Sequence, residues 1–426
     1  MPLRRAQRLL RMSGTIIGVL TARGTGREGR MQDLLERLPV IDVDAHEMAP
    51  AHVWGEMFGP HSARFAEVAA DFIRSFGANS FWRPGLADDA AITPASVWTE
   101  KGPSAPGAFD FDRRRRVLDA MGIARQLIFP SAALLAFGPL TGSSLASLGL
   151  PIPAGEEGQR MLRGVVAEYN DWVVRTTVAP GSRFRPAALL SGATVDELME
   201  QAGDLVARGA RAVWLPTGRP PGGRSPAAPE LDSFWALMAA NGVAVTLHLG
   251  TDSGFRSSDA WSQAPAFAVG KVDSVEIALE PFGTTTVHMG ASNFLSAMVL
   301  GGVFERHPML RFGVIELGAT WFGPLAEHLD LWVEHIYAKR MAGVLSMPPS
   351  AYMDRNVRVT PFYFEPVDLY FRRYPQLSHA WCYSSDYPHV EGGVDSKLGF
   401  LARLEPLGTV AIEKFFAGNG AWLVPE

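Results

Sequence analysis

Eight short apolar runs, several of them separated by stretches of helical periodicity, constrain this chain more than any other feature. The runs are Val40–Asp44, Arg125–Pro130, Arg185–Leu190, Ala210–Pro216, Val243–His248, Arg311–Glu316, Asn356–Pro361 and His379–Ser385. Most are almost continuously apolar, as strands covered on both faces are. The helical stretches are Arg113–Met121, Glu157–Thr177, Thr194–Arg208, Glu230–Asn241, Ser292–Arg306 and Trp321–Lys339. Gly122, Gly209 and Gly242 stand where a helix would end before the next strand. Alternating strand and helix with eight strands predicts an α/β fold of the (β/α)8 TIM-barrel type.

Two segments are too long for plain loops. Residues 48–112 follow the first strand and 249–291 follow the fifth. In a barrel both emerge at the C-terminal face, where active sites form, so both are expected to act as lids or pocket walls. Their aromatic residues (Trp54, Phe58, Phe72, Phe76, Phe81, Trp82, Trp98, Trp261, Phe267) are expected to line an apolar pocket.

Composition removes whole classes. With 47% apolar and 19% charged residues the chain can bury a substantial core. A single cysteine, Cys382, excludes a disulfide framework and cysteine-held zinc or iron–sulfur sites. A net charge of −5 speaks against a nucleic-acid partner. Residues 1–30 hold seven arginines and one glutamate and are expected to be a basic, poorly ordered N-terminal extension. Their apolar stretch is short and broken by Gly14 and Gly18, which makes a weak signal peptide. No apolar run approaches the roughly 20 residues that span a bilayer. Residues 31–426 are expected to form one cytoplasmic barrel domain without membrane contact.

Polar residues at the strand ends carry the chemistry. Strand 1 ends in Asp44-Ala45-His46, and the two-residue period of a strand puts 44 and 46 on one side. Strand 5 ends in His248, strand 6 in Glu316, and Asp386 follows strand 8. Any one of them alone has a structural explanation. Four strands delivering Asp, Glu or His to one rim point to a metal held by nitrogen and oxygen, such as zinc, manganese or iron.

With these residues in view, the chain resembles the amidohydrolase-related barrels typified by aminocarboxymuconate semialdehyde decarboxylase. The order Asp-x-His, His, Ser-Asp-Tyr-Pro carries the resemblance. It is supported by Phe129-Pro130-Ser131, Asn170-Asp171-Trp172, the stretch 302–308 and Gly418-Asn419, and it covers roughly 38–424. The resemblance implies Asp44, His46, His248 and Asp386 as metal ligands. Two departures matter. Where the decarboxylases carry a catalytic histidine, this chain has Glu316, and His288 is an additional imidazole on the segment before strand 6. A mixed set of Asp44, His46, His248, His288, Glu316 and Asp386 exceeds what one catalytic zinc needs. It resembles the non-haem di-iron monooxygenase branch of these barrels.

That resemblance implies two Fe ions, O2 and an external electron donor. The reaction would be hydroxylation of an unactivated C–H bond in a hydrophobic, CoA-linked substrate. The alternative is a hydrolase or decarboxylase with one Zn or Mn ion and Glu316 as general base. His389, three residues after Asp386, is expected to act as a proton donor or to orient that carboxylate. Arg113–Arg116 reads as a solvated helix start, with CoA phosphates as the other option. Barrels of this family often pair, so a homodimer is expected.

Overall fold

The computed structural model describes residues 33–75, 81–142, 150–251, 258–267, 281–394 and 396–426. The N-terminal extension expected at 1–30 lies outside them, as do Phe76 and much of the second insertion. The chain divides into two units, Met1–Leu38 and Pro39–Glu426. In the first, residues 33–37 are helical.

The second unit is built on one parallel sheet of seven strands in sequence order. They are β1 (Val40–Asp42), β2 (Ile123–Ile128), β3 (Phe184–Leu189), β4 (Ala212–Trp214), β5 (Ala244–His248), β6 (Arg311–Ile315) and β7 (Val357–Val359). Every residue of β1, β3, β4, β5 and β7 is buried, which is why these runs read as continuously apolar. Six helices follow the expected order: α1 (Phe111–Met121), α2 (Glu156–Val178), α3 (Val195–Ala207), α4 (Asp232–Ala240), α5 (Met289–Leu300) and α6 (Phe322–Trp332). Local chemistry fixes their ends. Asp110 accepts from the backbone N–H groups of Asp112 and Arg113 to start α1, and left-handed Gly122 ends it. Thr194 and Glu197 form a capping box at the start of α3.

Two expectations change. The helix expected over Ser292–Arg306 breaks after Leu300, because Gly302 takes φ 69° and a new turn starts at Val303. The expected eighth strand, His379–Ser385, forms isolated bridges instead of a regular strand. On the β7 side, Val359 donates to Ala380 O and Cys382 donates back to Val359 O. On the β1 side, Val43 N donates to Tyr383 O, Asp386 N to Asp44 O and His46 N to Tyr387 O. The ladder is interrupted at Tyr383, whose N–H goes to Phe415 O. The sheet is therefore curled, and the segment 380–387 hydrogen-bonds to both of its edges.

The first insertion is folded rather than lid-like among its described residues. Trp54 donates its indole N–H to Ala49 O and stacks on Phe65. Phe58 packs on Tyr169 and Trp172 of α2. Glu168 of α2 accepts hydrogen bonds of 2.8 Å from His61 N, Ser62 N and Ser62 Oγ. Trp54, Phe58 and Phe81 thus form a second core against α2 instead of lining a pocket. Trp261, from the second insertion, is 65% exposed.

Candidate metal centre

The sheet register brings the strand ends together. His248 pairs with Ile315 across β5 and β6, so Glu316 stands one residue beyond, on the same rim. His46 bridges Phe129 and Ala45 bridges Tyr387, which carries the ends of β1, β2 and the 380–387 segment to that rim. Asp44, His46, His248, Glu316, Asp386 and His389 are all buried. They form three overlapping groups whose ligand atoms lie within 4.8 Å of one another: Asp44–His46–His248, His46–Asp386–His389 and Asp44–Glu316–Asp386.

His288 belongs to none of these groups, which were sought among the described residues. It is half-buried at the start of α5, with its ring stacked on Trp321 at 5.7 Å. His389 instead stands among the clustered imidazoles, its ring 3.8 Å from that of His46. His379 pairs with Asp354 at 2.7 Å, away from the rim cluster. Glu47, next to His46, points elsewhere, as the strand period requires. Its carboxylate accepts from the N–H groups of Ser131, Ala132 and Ala49.

The geometry fits a cation. His46 Nε2 makes no hydrogen bond, although it lies 3.5 Å from Asp44 Oδ1 and 3.5 Å from Asp386 Oδ1. Burial, reinforced by His389, holds the His46 imidazole well below its ordinary value, so the ring is neutral. His248 Nδ1 lies 3.0 Å from Leu249 O, a contact that needs its proton there. Its Nε2 faces Asp44 Oδ1 and Glu316 Oε2, both 3.4 Å away. An imidazole oriented by a carbonyl at one nitrogen and facing carboxylates at the other is a common metal-ligand arrangement. A cavity of about 10 Å³, room for one water-sized sphere, is lined by Asp44, Glu316 and Asp386. The larger cavity, about 370 Å³, lies between the loops after β3 and β4 and includes none of the clustered groups.

Backbone strain coincides with the same site. Among the described residues only Glu316 (φ 55°) and Asp386 (φ 51°) adopt positive φ without being glycine. Each such conformation costs on the order of 1–3 kcal/mol and persists only where the surroundings enforce it. Thr360 Oγ1 accepts the Glu316 N–H at 2.8 Å, and Asp44 O accepts the Asp386 N–H at 2.9 Å.

Some of the supporting residues escape a reading by motif. Arg114 is fully buried rather than solvated. Its guanidinium donates to Gln126 Oε1, Gly107 O, His46 O and Tyr387 O, so it clamps together the backbones that carry His46 and Asp386. Asp42 accepts from Gln126, Ser385 N and Ser385 Oγ. Burial pushes its carboxyl up to about 7 against those hydrogen bonds. Ser131 Oγ stands 3.1 Å from His389 Nε2, and His389 Nδ1 is 2.9 Å from Asp386 Oδ1. Ser131 and Ser385 stand in the Phe-Pro-Ser and Ser-Asp-Tyr-Pro motifs, whereas for Gln126 the signal is a polar residue within a buried strand.

Comparison with known proteins fits this site. A model of the amidohydrolase family matches residues 128–424. The chain belongs to the amidohydrolase family. The family match covers the elements that supply His248, Glu316, Asp386 and His389. Solved structures that share the fold include the following three. An amidohydrolase from Mycobacterium avium subsp. paratuberculosis K-10 aligns with TM-score 0.63 and 21% identity, over 92% of this chain and 98% of that one. A 5-carboxyvanillate decarboxylase from Sphingomonas paucimobilis aligns with TM-score 0.54 and 16% identity, over 91% and 99%. A 5-carboxyvanillate decarboxylase from Novosphingobium aromaticivorans, complexed with manganese and 4-hydroxy-3-methoxy-5-nitrobenzoic acid, gives TM-score 0.54 and 15% identity, over 91% and 96%. At these identities the likeness is one of fold. No curated protein sequence matches the chain. No helix among the described residues is long and apolar enough to cross a membrane.

Proposed function

We propose that this amidohydrolase-family protein is a divalent-metal-dependent decarboxylase or hydrolase with one zinc or manganese ion. The observation that carries this reading is the convergence of Asp44, His46, His248 and Asp386 around a buried His46 Nε2 that makes no hydrogen bond. The fold neighbours that are decarboxylases, one of them with manganese, support the reaction class. The closed eight-unit barrel belongs to the same reading, supported by the hydrogen bonds of 380–387 to both sheet edges.

A divalent ion in this setting supplies Lewis acidity at the rim of the sheet. The protein's own groups divide the remaining work. Asp44, His46, His248 and Asp386 would hold the ion. Glu316, with Oε2 3.4 Å from His248 Nε2, is the general base. His389, with Nδ1 2.9 Å from Asp386 Oδ1 and Nε2 3.1 Å from Ser131 Oγ, would orient that carboxylate and, when protonated, serve as the proton donor.

One observation favours a second reading. Three carboxylates and three imidazoles exceed the roughly three protein ligands of a catalytic zinc, and Glu316 can bridge two ions. This set suits a non-haem di-iron monooxygenase acting on a hydrophobic, CoA-linked substrate with an external electron donor, and His389 rather than His288 is the third imidazole near the cluster.

One experiment tests both. Metal-free protein is loaded anaerobically with Zn(II), Mn(II) or Fe(II), and stoichiometry and O2 consumption are measured for the native chain and Glu316→Gln. One ion per chain that survives Glu316→Gln, with no O2 uptake, is the expected result. Two irons per chain, one of them lost in Glu316→Gln, with O2 uptake on reduction, overturns it in favour of the oxygenase.

A further inference from the structure

An apolar ledge at the mouth of the site is not needed by the metal chemistry. The cavity lined by Asp44, Glu316 and Asp386 continues onto Phe362 and Tyr363, from the loop after β7, and onto Glu391 and Gly392 from the loop after Asp386. Phe362 stacks on Phe364 at 5.5 Å with 9° between the rings, and Tyr363 meets Phe364 edge-on at 5.5 Å. Gly393, at φ 70°, lets the two loops touch: a Cβ there would stand 3.0 Å from the Tyr363 ring. Yet this aromatic set is open to solvent. Phe364 is 62% exposed and Tyr363 45%, while Val390 and Val394 on the facing loop are 44% and 68% exposed. Exposed large apolar groups gathered beside a polar cavity mark a binding surface.

We propose that this ledge binds the apolar tail of an amphipathic substrate whose oxygen-bearing head enters the metal centre. The inference rests on the proposed metal site and specifies its substrate class. The occupant follows from continuity. Phe362 and Tyr363 line the cavity and belong to the ledge, so the ledge is continuous with the carboxylates of the site. A ledge open on one side buries about half of a chain's surface. Full burial is worth about fourfold in affinity per methylene, so about twofold per methylene is expected here.

A chain-length series tests this without turnover. Acetohydroxamate, octanohydroxamate and dodecanohydroxamate are titrated by calorimetry into the metal-loaded and metal-free protein. The expected result is metal-dependent binding of all three, with affinity rising about twofold per methylene. Phe364→Ser and Val394→Ser should each flatten that slope while metal stoichiometry is retained, and Val410→Ser, exposed elsewhere on the molecule, should leave it unchanged. Metal-dependent binding with no chain-length slope overturns the ledge proposal alone and leaves the surface to a protein partner. Failure of every hydroxamate to bind loaded protein overturns both the ledge and the metal reading. A slope untouched by Phe364→Ser and Val394→Ser places the tail elsewhere and also overturns it.

Discussion

His46 and Arg114 show what a residue reveals by itself and what it does not. The spacing Asp44-x-His46 is legible because a strand's period of two leaves little choice: both side chains face one side. Arg114 sits in a basic run on a helix and reads as solvated. Its burial is decided by partners far away in sequence, including the carbonyls of His46 and Tyr387. Gly107 allows the approach, since a Cβ there would stand 2.8 Å from the Arg114 Cα. Arg114→Met keeps much of the side-chain volume but leaves buried carbonyls without a donor, each costing about 1–3 kcal/mol. We expect a loss of at least about 3 kcal/mol in urea unfolding. The folded fraction should also bind metal at least about tenfold more weakly, because the backbones carrying His46 and Asp386 lose their clamp. A variant with native stability and native metal affinity would show that the guanidinium only fills space.

Between elements, side chains finish what the strands leave open. Asn170 of α2 donates to Leu189 O and accepts from Leu189 N, so its amide completes the end of β3. Asn419 donates to Ser378 O and Trp381 O and steadies the segment that links the sheet edges. Both asparagines were visible as motifs, but their partners were not. Seven of the eight expected strands coincide with observed ones to within about two residues, because continuous apolar runs bounded by glycine or polar residues leave few alternatives. The eighth failed because its hydrogen bonds are shared among β7, β1 and Phe415, which no local pattern reports. Glu365 performs a comparable task for the loops after β6 and β7. It accepts from Ala319 N, Phe362 N and Tyr370 Oη, joining the Glu316 loop to the aromatic ledge. Burial raises its pKa above the ordinary 4.5, with those hydrogen bonds opposing the rise. A carboxyl whose folded-state value is raised favours folding most below its unfolded value and loses that contribution as pH climbs through the folded one. Glu365→Gln should therefore be more destabilising relative to wild type at pH 5 than at pH 8. Urea midpoints at the two pH values measure this, and an equal deficit at both would refute the assignment.

At the scale of the whole molecule, curvature of the sheet is what assembles the candidate metal centre. Residues as distant in sequence as Asp44 and Asp386 meet only because the segment 380–387 hydrogen-bonds to both β7 and the end of β1. The convergence of Asp44, His46, His248, Glu316 and Asp386 was therefore legible from strand ends, whereas the position of His288 outside the cluster and of His389 within it depends on how the loops fold over the rim. Crowding three buried carboxylates within 4.8 Å has a thermodynamic consequence. Like charges so placed repel, and burial removes the water that would screen them. A cation binding the folded state alone stabilises it, by about 4 kcal/mol at a thousandfold excess over its dissociation constant. Chelation should thus lower the melting temperature, and zinc or manganese should restore it. Glu316→Gln sharpens the test, because it removes one of the three charges without shortening the side chain. It should raise the melting temperature of the metal-free protein and reduce the rise that metal produces. The two effects have opposite signs, so differential scanning calorimetry of four samples, each chain with and without metal, decides the matter. If Glu316→Gln destabilises the metal-free and metal-loaded forms equally, the three carboxylates are not repelling one another and the cluster is an ordinary hydrogen-bonded core.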